Sequence, residues 1–370
     1  MQNKEIGFLT EMLRIYSPSR EEGNLANFLK DAMNGELGFQ NVKVDSVYNV
    51  TGEIGSGSPK LLLCGHMDTV PGFQQVRVSR GYIYGRGACD AKSALAAMIL
   101  AASRLSTRKD IGKVTIAAVS DEEGTGLGLK ELLRHGIDAK YAIFGEPSGI
   151  DNITVGYKGR LALNLICETP SVHASAPWMS QNAVERLLEV WTAIKKTLEQ
   201  KVVPDDHYRT ITACLTKIRG GSSHNVMPGR CSISIDIRVP PTITTEQVLS
   251  EVKGVIHKFE SDLSFPKFRT TVIDQTEPFE SDRNSQIMRA LVRSILAVRK
   301  TRPMLINKTG TGDMNTLGNN LNIPVITYGP GNAHLSHTRK EGIEIQEILQ
   351  SIDVLENTIC DLTKLSKSSV

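Results

Sequence analysis

The stretch from Lys60 to Pro71, KLLLCGHMDTVP, decides the fold, because an apolar run typical of a buried strand ends beside a histidine and an aspartate. Two later apolar runs have the same form: residues 114–119 lead into SDEEG, and residues 141–145 lead into Glu146. Apolar residues recur at helical spacing between Ala94 and Leu105. This alternation predicts an α/β fold with a mostly parallel sheet.

Side chains of the types that bind metals follow these predicted strands, open the helix between them, or lie in a later Gly/Pro-rich loop. They are His66, Asp90, Glu122, Glu123, Glu146 and His337. Ligands of open α/β sheets collect at the carboxyl ends of the strands, so we expect these groups to converge there. Nitrogen and carboxylate ligands without thiolates suit zinc, with cobalt or manganese as possible occupants. The sequence therefore predicts a site for two divalent metals and a metal-dependent amide hydrolase.

Each of these residues also has an ordinary structural interpretation. Asp90 could serve simply as the N-cap of a helix. Adjacent acidic residues such as Glu122 and Glu123 usually lie in a solvated loop, and His337 could be a surface histidine. The coincidence of several such residues at strand ends favours the metal site. Adjacent side chains on an extended backbone diverge, so we predict Glu123 as a ligand and Glu122 as the general base. Asp68 is placed to accept the second ring N–H of His66.

Length and composition favour a two-domain protein. At 370 residues, we predict a catalytic domain formed by residues 1–155 and 276–370, with an inserted α+β unit at 156–275. The formal charge of +3, without a Lys/Arg run, argues against nucleic acid as a partner. The spacing of Ser19 and Glu22 predicts a capping box at the start of a helix.

The cellular setting is predicted from cysteines and hydropathy. The six cysteines form no CxxC pair and lie mostly in apolar runs, which indicates reduced structural thiols and a cytoplasmic protein. No stretch approaches the roughly 20 apolar residues of a membrane span. We therefore expect no membrane partner.

Taken together, several motifs resemble those of the M20 family of dinuclear metallo-aminoacylases and peptidases. They are GHMDTVP (65–71), GRGACDAKSALAAMI (85–99), SDEEGTG (120–126), FGEPSG (144–149), VHASAP (172–177), HNVMPG (224–229) and the late HT (337–338). The resemblance implies that one metal is held by His66, Asp90 and Glu146, and the other by Asp90, Glu123 and His337. It also implies that Asp90 bridges the metals, Glu122 is the base and Asp68 orients His66.

The resemblance further implies that the inserted unit at 156–275 is a lid and that it forms a homodimer. His173 is then expected to reach the partner subunit's site and stabilise the oxyanion. The alternative for His173 is a polar position at a strand end on the surface. Asn225 and Arg238 are expected to line the substrate, where Arg238 could clamp a carboxylate.

Within the family, YKGR (157–160), CETPSVHASA (167–176), NKTGTGDMN (307–315) and YGPGNAHLSHT (328–338) most resemble hydrolases that release lysine or ornithine from the amino-group carrier protein LysW. Such an enzyme, of lysine or arginine biosynthesis, cleaves an amide made with the γ-carboxyl of the carrier's C-terminal glutamate. Lys158, Arg160 and Arg238 would receive carboxylates, and a mildly basic surface suits an acidic carrier. Gly312 should lie near the substrate, and Asp313 either receives its ammonium group or caps a loop.

Two other functions remain open. A small-molecule deacylase acting on acetylornithine or succinyl-diaminopimelate would use the same metal site. A non-catalytic metal-binding scaffold could keep the fold, although an intact base and ligand set argue against it. An open, positive rim around the site would favour the carrier protein as substrate.

Overall fold

The computed structural model describes residues 2–201, 203–261 and 266–364. It divides into two compact units. The first unit comprises Met1–Val155, Ser281–Ile306 and Gly312–Val370, and the second comprises Gly156–Glu280 and Asn307–Thr311. The second unit thus includes a short segment from the later Gly-rich stretch, which the predicted boundaries of 156–275 leave out.

The described chain contains helices and strands in mixed order. The helices are α1 (Gln2–Arg14), α2 (Gly23–Asn34), α3 (Lys92–Ser103), α4 (Leu127–Arg134), α5 (Ala183–Glu199), α6 (Thr245–Glu260), α7 (Gln286–Arg299), α8 (Asp313–Leu321) and α9 (Ile345–Thr363). The strands are β1 (Gln40–Val44), β2 (Val50–Ile54), β3 (Leu61–His66), β4 (Arg77–Ser79), β5 (Tyr82–Tyr84), β6 (Val114–Val119), β7 (Tyr141–Gly145), β8 (Asn152–Tyr157), β9 (Gly159–Glu168), β10 (Val172–His173), β11 (Thr212–Gly220), β12 (Val226–Met227), β13 (Arg230–Val239), β14 (Phe268–Thr276), β15 (Phe279–Glu280), β16 (Met304–Lys308), β17 (Val325–Thr327) and β18 (Gly342–Glu344).

The first unit is built on a sheet with the strand order β1-β2-β6-β3-β7-β17-β8. Strand β3 pairs in parallel with β6 and β7, and β17 pairs in parallel with β7. All residues of β3 and β7 are buried, as expected for parallel strands covered on both faces. Helix α3 is buried from Lys92 to Ala102 because its sequence is apolar around most of its circumference. The predicted α/β fold with a mostly parallel sheet is confirmed.

This sheet brings the ends of distant segments together. Because β6, β3, β7 and β17 are parallel neighbours, their carboxyl ends lie at one edge of the sheet. His66 is the last residue of β3, and the acidic turn follows β6 directly. The topology therefore brings these candidate ligand segments to one edge of the sheet.

The second unit has its own sheet and core. Its four strands have the order β11-β13-β9-β14, and helices α5 and α6 pack against them. Strand β13 alternates between buried and partly exposed residues, because one face of an antiparallel sheet packs on the helices. A hydrophobic cluster that includes Leu163, Leu187, Ile235 and Val252 fills the space between sheet and helices.

Two further observations on the described residues concern the cysteines and the hydropathy of the helices. The six cysteines are free thiols, four of them buried. Among the helices described, none has the length and apolar character needed to cross a bilayer.

Candidate metal centre

The buried imidazole of His66 faces two carboxylates. Its Nε2 lies 3.5 Å from Asp90 Oδ1 and 3.4 Å from Glu146 Oε1, and the side chain is fully buried. Within the described part of the chain, this Nε2 has no hydrogen-bond partner. A buried polar atom without a partner costs free energy, so an imidazole nitrogen directed at two carboxylates fits a cation between them.

A second group of ligand atoms adjoins the first. His337 Nε2 lies 2.7 Å from Glu123 Oε1 and 3.3 Å from Asp90 Oδ2. The two carboxylate oxygens of Asp90 therefore face different imidazoles, those of His66 and His337. Asp90, Glu123 and His337 offer ligand atoms within 4.8 Å of one another, and so do His66, Glu122 and Glu146. The structure thus brings together all five predicted metal ligands and the predicted base.

The electrostatics of this cluster favour bound cations. Burial, reinforced by the charge of Asp90 and opposed by His66 and His337, raises the pKa of Glu123 to about 7. Burial and neighbouring carboxylates likewise hold the pKa of Glu122 well above its ordinary value. At Asp90 burial acts in the same direction, but the neighbouring imidazoles of His337 and His66 outweigh it and lower the pKa of this carboxyl. Buried carboxylates this close together are stabilised by divalent positive charge.

Asp68 holds the acidic turn that follows β6. Its carboxylate accepts hydrogen bonds from the backbone N–H groups of Glu122 and Glu123, each at 3.0 Å, and from Ser19 Oγ at 2.7 Å. The Nδ1 atom of His66 lies 3.0 Å from the backbone oxygen of Asp68 and 3.4 Å from its Oδ1. Asp68 therefore fixes the position of both glutamates as well as contacting the ring of His66.

The predicted capping box at Ser19 is wrong. Helix α2 begins at Gly23, and its N-cap residue Glu22 makes no side-chain capping bond. Glu22 instead accepts a hydrogen bond of 2.8 Å from the backbone N–H of Asp121, while Ser19 donates to Asp68. The loop before α2 supports the acidic turn because tertiary hydrogen bonds compete with the local cap.

Sequence reasoning missed a buried ion pair that supports Asp90. Oxygen Oε1 of Glu341 accepts hydrogen bonds from the backbone N–H groups of Gly87, Cys89 and Asp90 at 3.0, 3.1 and 2.9 Å. Its Oε2 lies 2.7 Å from Arg86 NH1. The available signals were Arg86 between two glycines and Glu341 four residues after a predicted ligand, but neither shows that the two meet.

We expect removal of this carboxylate to weaken metal binding. In Glu341→Ala, three backbone donors and Arg86 lose their acceptor, so the segment that carries Asp90 is no longer fixed. Loss of a group that orients a ligand typically lowers metal affinity by about 10- to 100-fold. Titration of the metal-free variant with zinc, in competition with a chromophoric chelator, measures the change.

The control for this prediction is Glu344→Ala, which removes an exposed carboxylate that makes no capping bond at α9. It should bind zinc as the unmodified protein does, and Glu341→Gln should show a smaller loss because its amide oxygen still accepts. Unchanged zinc affinity in Glu341→Ala would show that Asp90 is fixed without this pair.

His173 and Asn225 lie side by side in the second unit. His173 pairs with Val226 in the β10–β12 ladder, and the backbone N–H of Ala174 donates to the oxygen of Asn225 at 2.9 Å. The imidazole is exposed, with Nδ1 2.7 Å from Ser175 Oγ. The expected roles of both residues at the substrate stay predictions.

Lys158, Arg160 and Arg238, which are predicted to bind carboxylates of the substrate, all lie in the second unit but contact different groups. Lys158 is fully buried, and its ammonium group donates to the backbone oxygens of His207 and Thr210. Arg160 Nε and Arg238 Nε each lie 2.7 Å from the carboxylate of Asp236, which sequence reasoning did not single out. Both arginines are thus held in place, and their contact with a substrate carboxylate stays a prediction.

Gly312 and Asp313 form the start of α8 in the first unit. The backbone N–H of Gly312 donates to Asn315 Oδ1 at 3.2 Å. Asp313 is buried, and its Oδ2 has no hydrogen-bond partner among the described residues. Burial raises the pKa of Asp313 to about 7. A buried carboxyl oxygen without a donor suits the receipt of a positively charged group.

A protein-family model and curated relatives match this chain over most of its length. Residues 62–361 match the model of peptidase family M20/M25/M40. A LysW-lysine/LysW-ornithine hydrolase from Saccharolobus islandicus is 32% identical, over 94% of this chain and 93% of its own. A protein of the same name from Sulfurisphaera tokodaii is 35% identical, over 96% of this chain and 94% of its own.

Solved structures with much lower identity share the fold. An M20 family metallo-carboxypeptidase from Sulfolobus solfataricus has a TM-score of 0.81 at 20% identity, covering 97% of this chain and 99% of its own. A tripeptidase from Staphylococcus aureus has a TM-score of 0.81 at 22% identity, and the match covers 98% of this chain and 99% of the tripeptidase. The fold is therefore shared with proteins whose sequences differ widely from this one.

Proposed function

Because the chain belongs to peptidase family M20/M25/M40 and is thus a metal-dependent hydrolase, we propose that it releases lysine, and also ornithine, from an amino-group carrier protein. The scissile bond is the amide between the amino acid and the γ-carboxyl of the carrier's C-terminal glutamate. The carrier assignment is supported by relatives named LysW-lysine/LysW-ornithine hydrolase that align over almost the entire chain. The observation that supports amide hydrolysis is the convergence of the five proposed ligands and the proposed base in one cluster.

The proposed centre holds two zinc ions, for which cobalt or manganese could substitute. His66, Asp90 and Glu146 would hold one ion, and Asp90, Glu123 and His337 the other, since Asp90 faces both imidazoles. When bound, such ions would polarise an amide carbonyl and lower the pKa of water. Asp68 keeps the acidic turn in place for this purpose.

Glu122 is the proposed general base. Its carboxylate belongs to the same compact group as His66 and Glu146, so it lies within reach of the attacking water. Burial and the nearby carboxylates raise its pKa, which suits a group that accepts a proton from water and then donates it to the leaving amine. In this scheme the amine leaves protonated and Glu122 returns to its ionised form.

Other residues of the proposed site recognise the substrate. Asp313 receives the side-chain ammonium group of lysine or ornithine, consistent with its buried oxygen without a donor. Arg238 receives a carboxylate, and His173 stabilises the oxyanion in the partner subunit of a homodimer formed through the second unit. The free cysteines fit a reducing, cytoplasmic location.

Amine release from matched substrates tests the proposal against small-molecule deacylation. The purified, zinc-loaded enzyme is supplied with carrier-linked lysine, carrier-linked ornithine, acetylornithine and succinyl-diaminopimelate. We expect kcat/KM to be highest for one of the carrier-linked substrates. A higher value for either small acyl compound would contradict the carrier assignment and support a deacylase with the same metal centre.

A further inference from the structure

Arg160 and Arg238 are cross-strand neighbours on the face of the second unit's sheet that the helices do not cover. They lie directly opposite each other on strands β9 and β13, and the hydrophobic cluster fills the other face. Like charges at opposite positions of a sheet repel each other and destabilise it. An anion between them relieves this repulsion, and Asp236, two residues before Arg238 on the same face of β13, is placed to supply it.

Asp236 contacts both arginines. Its Oδ1 lies 2.7 Å from Arg238 Nε, and its Oδ2 lies 2.7 Å from Arg160 Nε. Oδ2 is also 3.5 Å from Arg238 Nη2, so the carboxylate faces the side of this guanidinium that Nε and Nη2 form. The side chain of Asp236 is only 15% exposed, so solvent screens these pairs less than at the surface.

A second contact fixes the rotation of the Arg238 guanidinium. Thr311 Oγ1 accepts a hydrogen bond of 3.1 Å from Arg238 Nη1 and donates one of 2.8 Å to the backbone oxygen of Lys158. A guanidinium has five N–H groups in one plane, and Nη1 and Nη2 have two each. After the contacts with Asp236 and Thr311, each terminal nitrogen retains one N–H for a ligand. Such a pair of donors suits the two oxygens of a carboxylate.

This cluster has a surplus of one positive charge. Asp274 lies 3.3 Å from Arg160, so two aspartates face the two arginines. Lys158 is a third cation: burial and the charge of Arg238 lower the pKa of its ammonium group to about 8, which leaves it largely charged at neutral pH. Three cations beside two carboxylates attract an anionic ligand, and Arg238 has the N–H groups to bind it.

We propose that Asp236 is a specificity-determining positioning residue, which holds the guanidinium of Arg238 so that its two terminal nitrogens receive a substrate carboxylate. This inference deepens the proposed function and rests on it, because it takes Arg238 as the residue that binds a carboxylate. Asp236 does not itself touch the substrate. It occupies the side of the guanidinium and so excludes a ligand from that side, while Arg160 keeps Asp236 in place.

Matched ligands test this role. γ-Glutamyl-lysine contains the proposed scissile amide with one carboxylate on each side, and two analogues replace either carboxylate by a neutral carboxamide. Dissociation constants are measured by calorimetry with the zinc-loaded Glu122→Gln protein, in which we expect negligible turnover. The same protein is tested with Asp236→Asn, Thr311→Val or Asp205→Asn added, the last being a control at an exposed aspartate of the second unit. Asp236→Asn alone is used to measure kcat and KM for carrier-linked lysine.

We expect one of the carboxamide analogues to bind the Glu122→Gln protein about tenfold more weakly than γ-glutamyl-lysine, because a charge-assisted pair of hydrogen bonds is lost. Asp236→Asn should weaken γ-glutamyl-lysine by about the same factor and that analogue hardly at all, since both changes remove the same contact. Thr311→Val should show the same selectivity with a smaller effect, and Asp205→Asn no effect. For carrier-linked lysine, Asp236→Asn should raise KM about tenfold and leave kcat nearly unchanged.

Three results would overturn the proposal. One is an equal weakening of all three ligands by Asp236→Asn, which would show that Asp236 supports the fold in general. Another is an unchanged affinity for γ-glutamyl-lysine in this variant. The third is that neither carboxamide analogue binds more weakly than γ-glutamyl-lysine, so that no carboxylate is recognised. Thermal unfolding of each variant is recorded, and Thr311→Val provides the test if Asp236→Asn does not fold.

The two readouts also separate this inference from the proposed function. If the ligands show the selective effect but the unmodified protein releases no lysine from the carrier, the carrier assignment fails and the role of Asp236 stands. If lysine is released from the carrier with a KM that does not depend on Asp236, the function stands and the role of Asp236 fails.

Discussion

Glu122→Gln is expected to retain bound zinc and to lose nearly all hydrolytic activity. Glutamine has the same size as glutamate but lacks a basic carboxylate oxygen. Residue 122 can then no longer take a proton from the attacking water. Removal of a general base typically lowers kcat by about 10²- to 10⁴-fold. Because the amide substrate still reaches the site, we expect kcat to fall much more than KM changes. Stopped assays of lysine release and metal analysis of the same sample measure both quantities.

Two comparisons make this result specific. Glu21→Gln changes an exposed glutamate in the loop before α2 and should leave kcat unaltered. A carboxylate oxygen of Glu122 lies in one compact group with ligand atoms of His66 and Glu146, so Glu122 could itself bind metal. A Glu122→Gln protein that contained little zinc would indicate that role. Full activity with full zinc content would require a different base.

Asp90→Asn is expected to remove metal and activity together. The substitution replaces the one carboxylate whose two oxygens face both His66 and His337 by a neutral amide, so both metal positions lose an anionic ligand. The complete centre is proposed to hold about two zinc ions per chain, and we expect the zinc content of Asp90→Asn to fall below that value. Activity should fall by about 10³-fold or more, since metal ions contribute several kcal/mol to such reactions. Elemental analysis after dialysis and a kcat/KM measurement check both.

The matched control is Asp31→Asn, at an exposed position of α2. It should contain as much zinc as the unmodified protein. If Asp90→Asn kept its full zinc content and only lost activity, Asp90 would act on the substrate instead of joining the two metal positions, and the proposed bridging role would be wrong.

Most of the proposed ligand set could be predicted from sequence because its members carry a local signal. A buried strand that ends in a histidine or an acidic pair is visible within about ten residues of sequence, and parallel topology then places those ends at one edge. His66, Glu123 and Glu146 follow this pattern. The turn at Glu122 and the helix start near Asp90 were recognisable for the same reason.

The supporting contacts were not predictable because they join segments that are far apart in sequence. Ser19 has the spacing of a helix cap, yet its hydroxyl donates to Asp68, 49 residues away. Glu341 accepts from the backbone of Asp90, 251 residues earlier. Local spacing carries no information on such partners. Asp236 was overlooked because a lone aspartate within an alternating strand looks like an ordinary surface residue.

The pairing of Glu341 with the Asp90 segment also makes the proposed metal centre depend on the tertiary structure of the first unit. The proposed ligand His337 and the carboxylate that accepts from the backbone of Asp90 both lie more than 200 residues after Asp90 in sequence. A partly folded chain in which these segments have not met therefore lacks one imidazole of the centre and the anchor of Asp90.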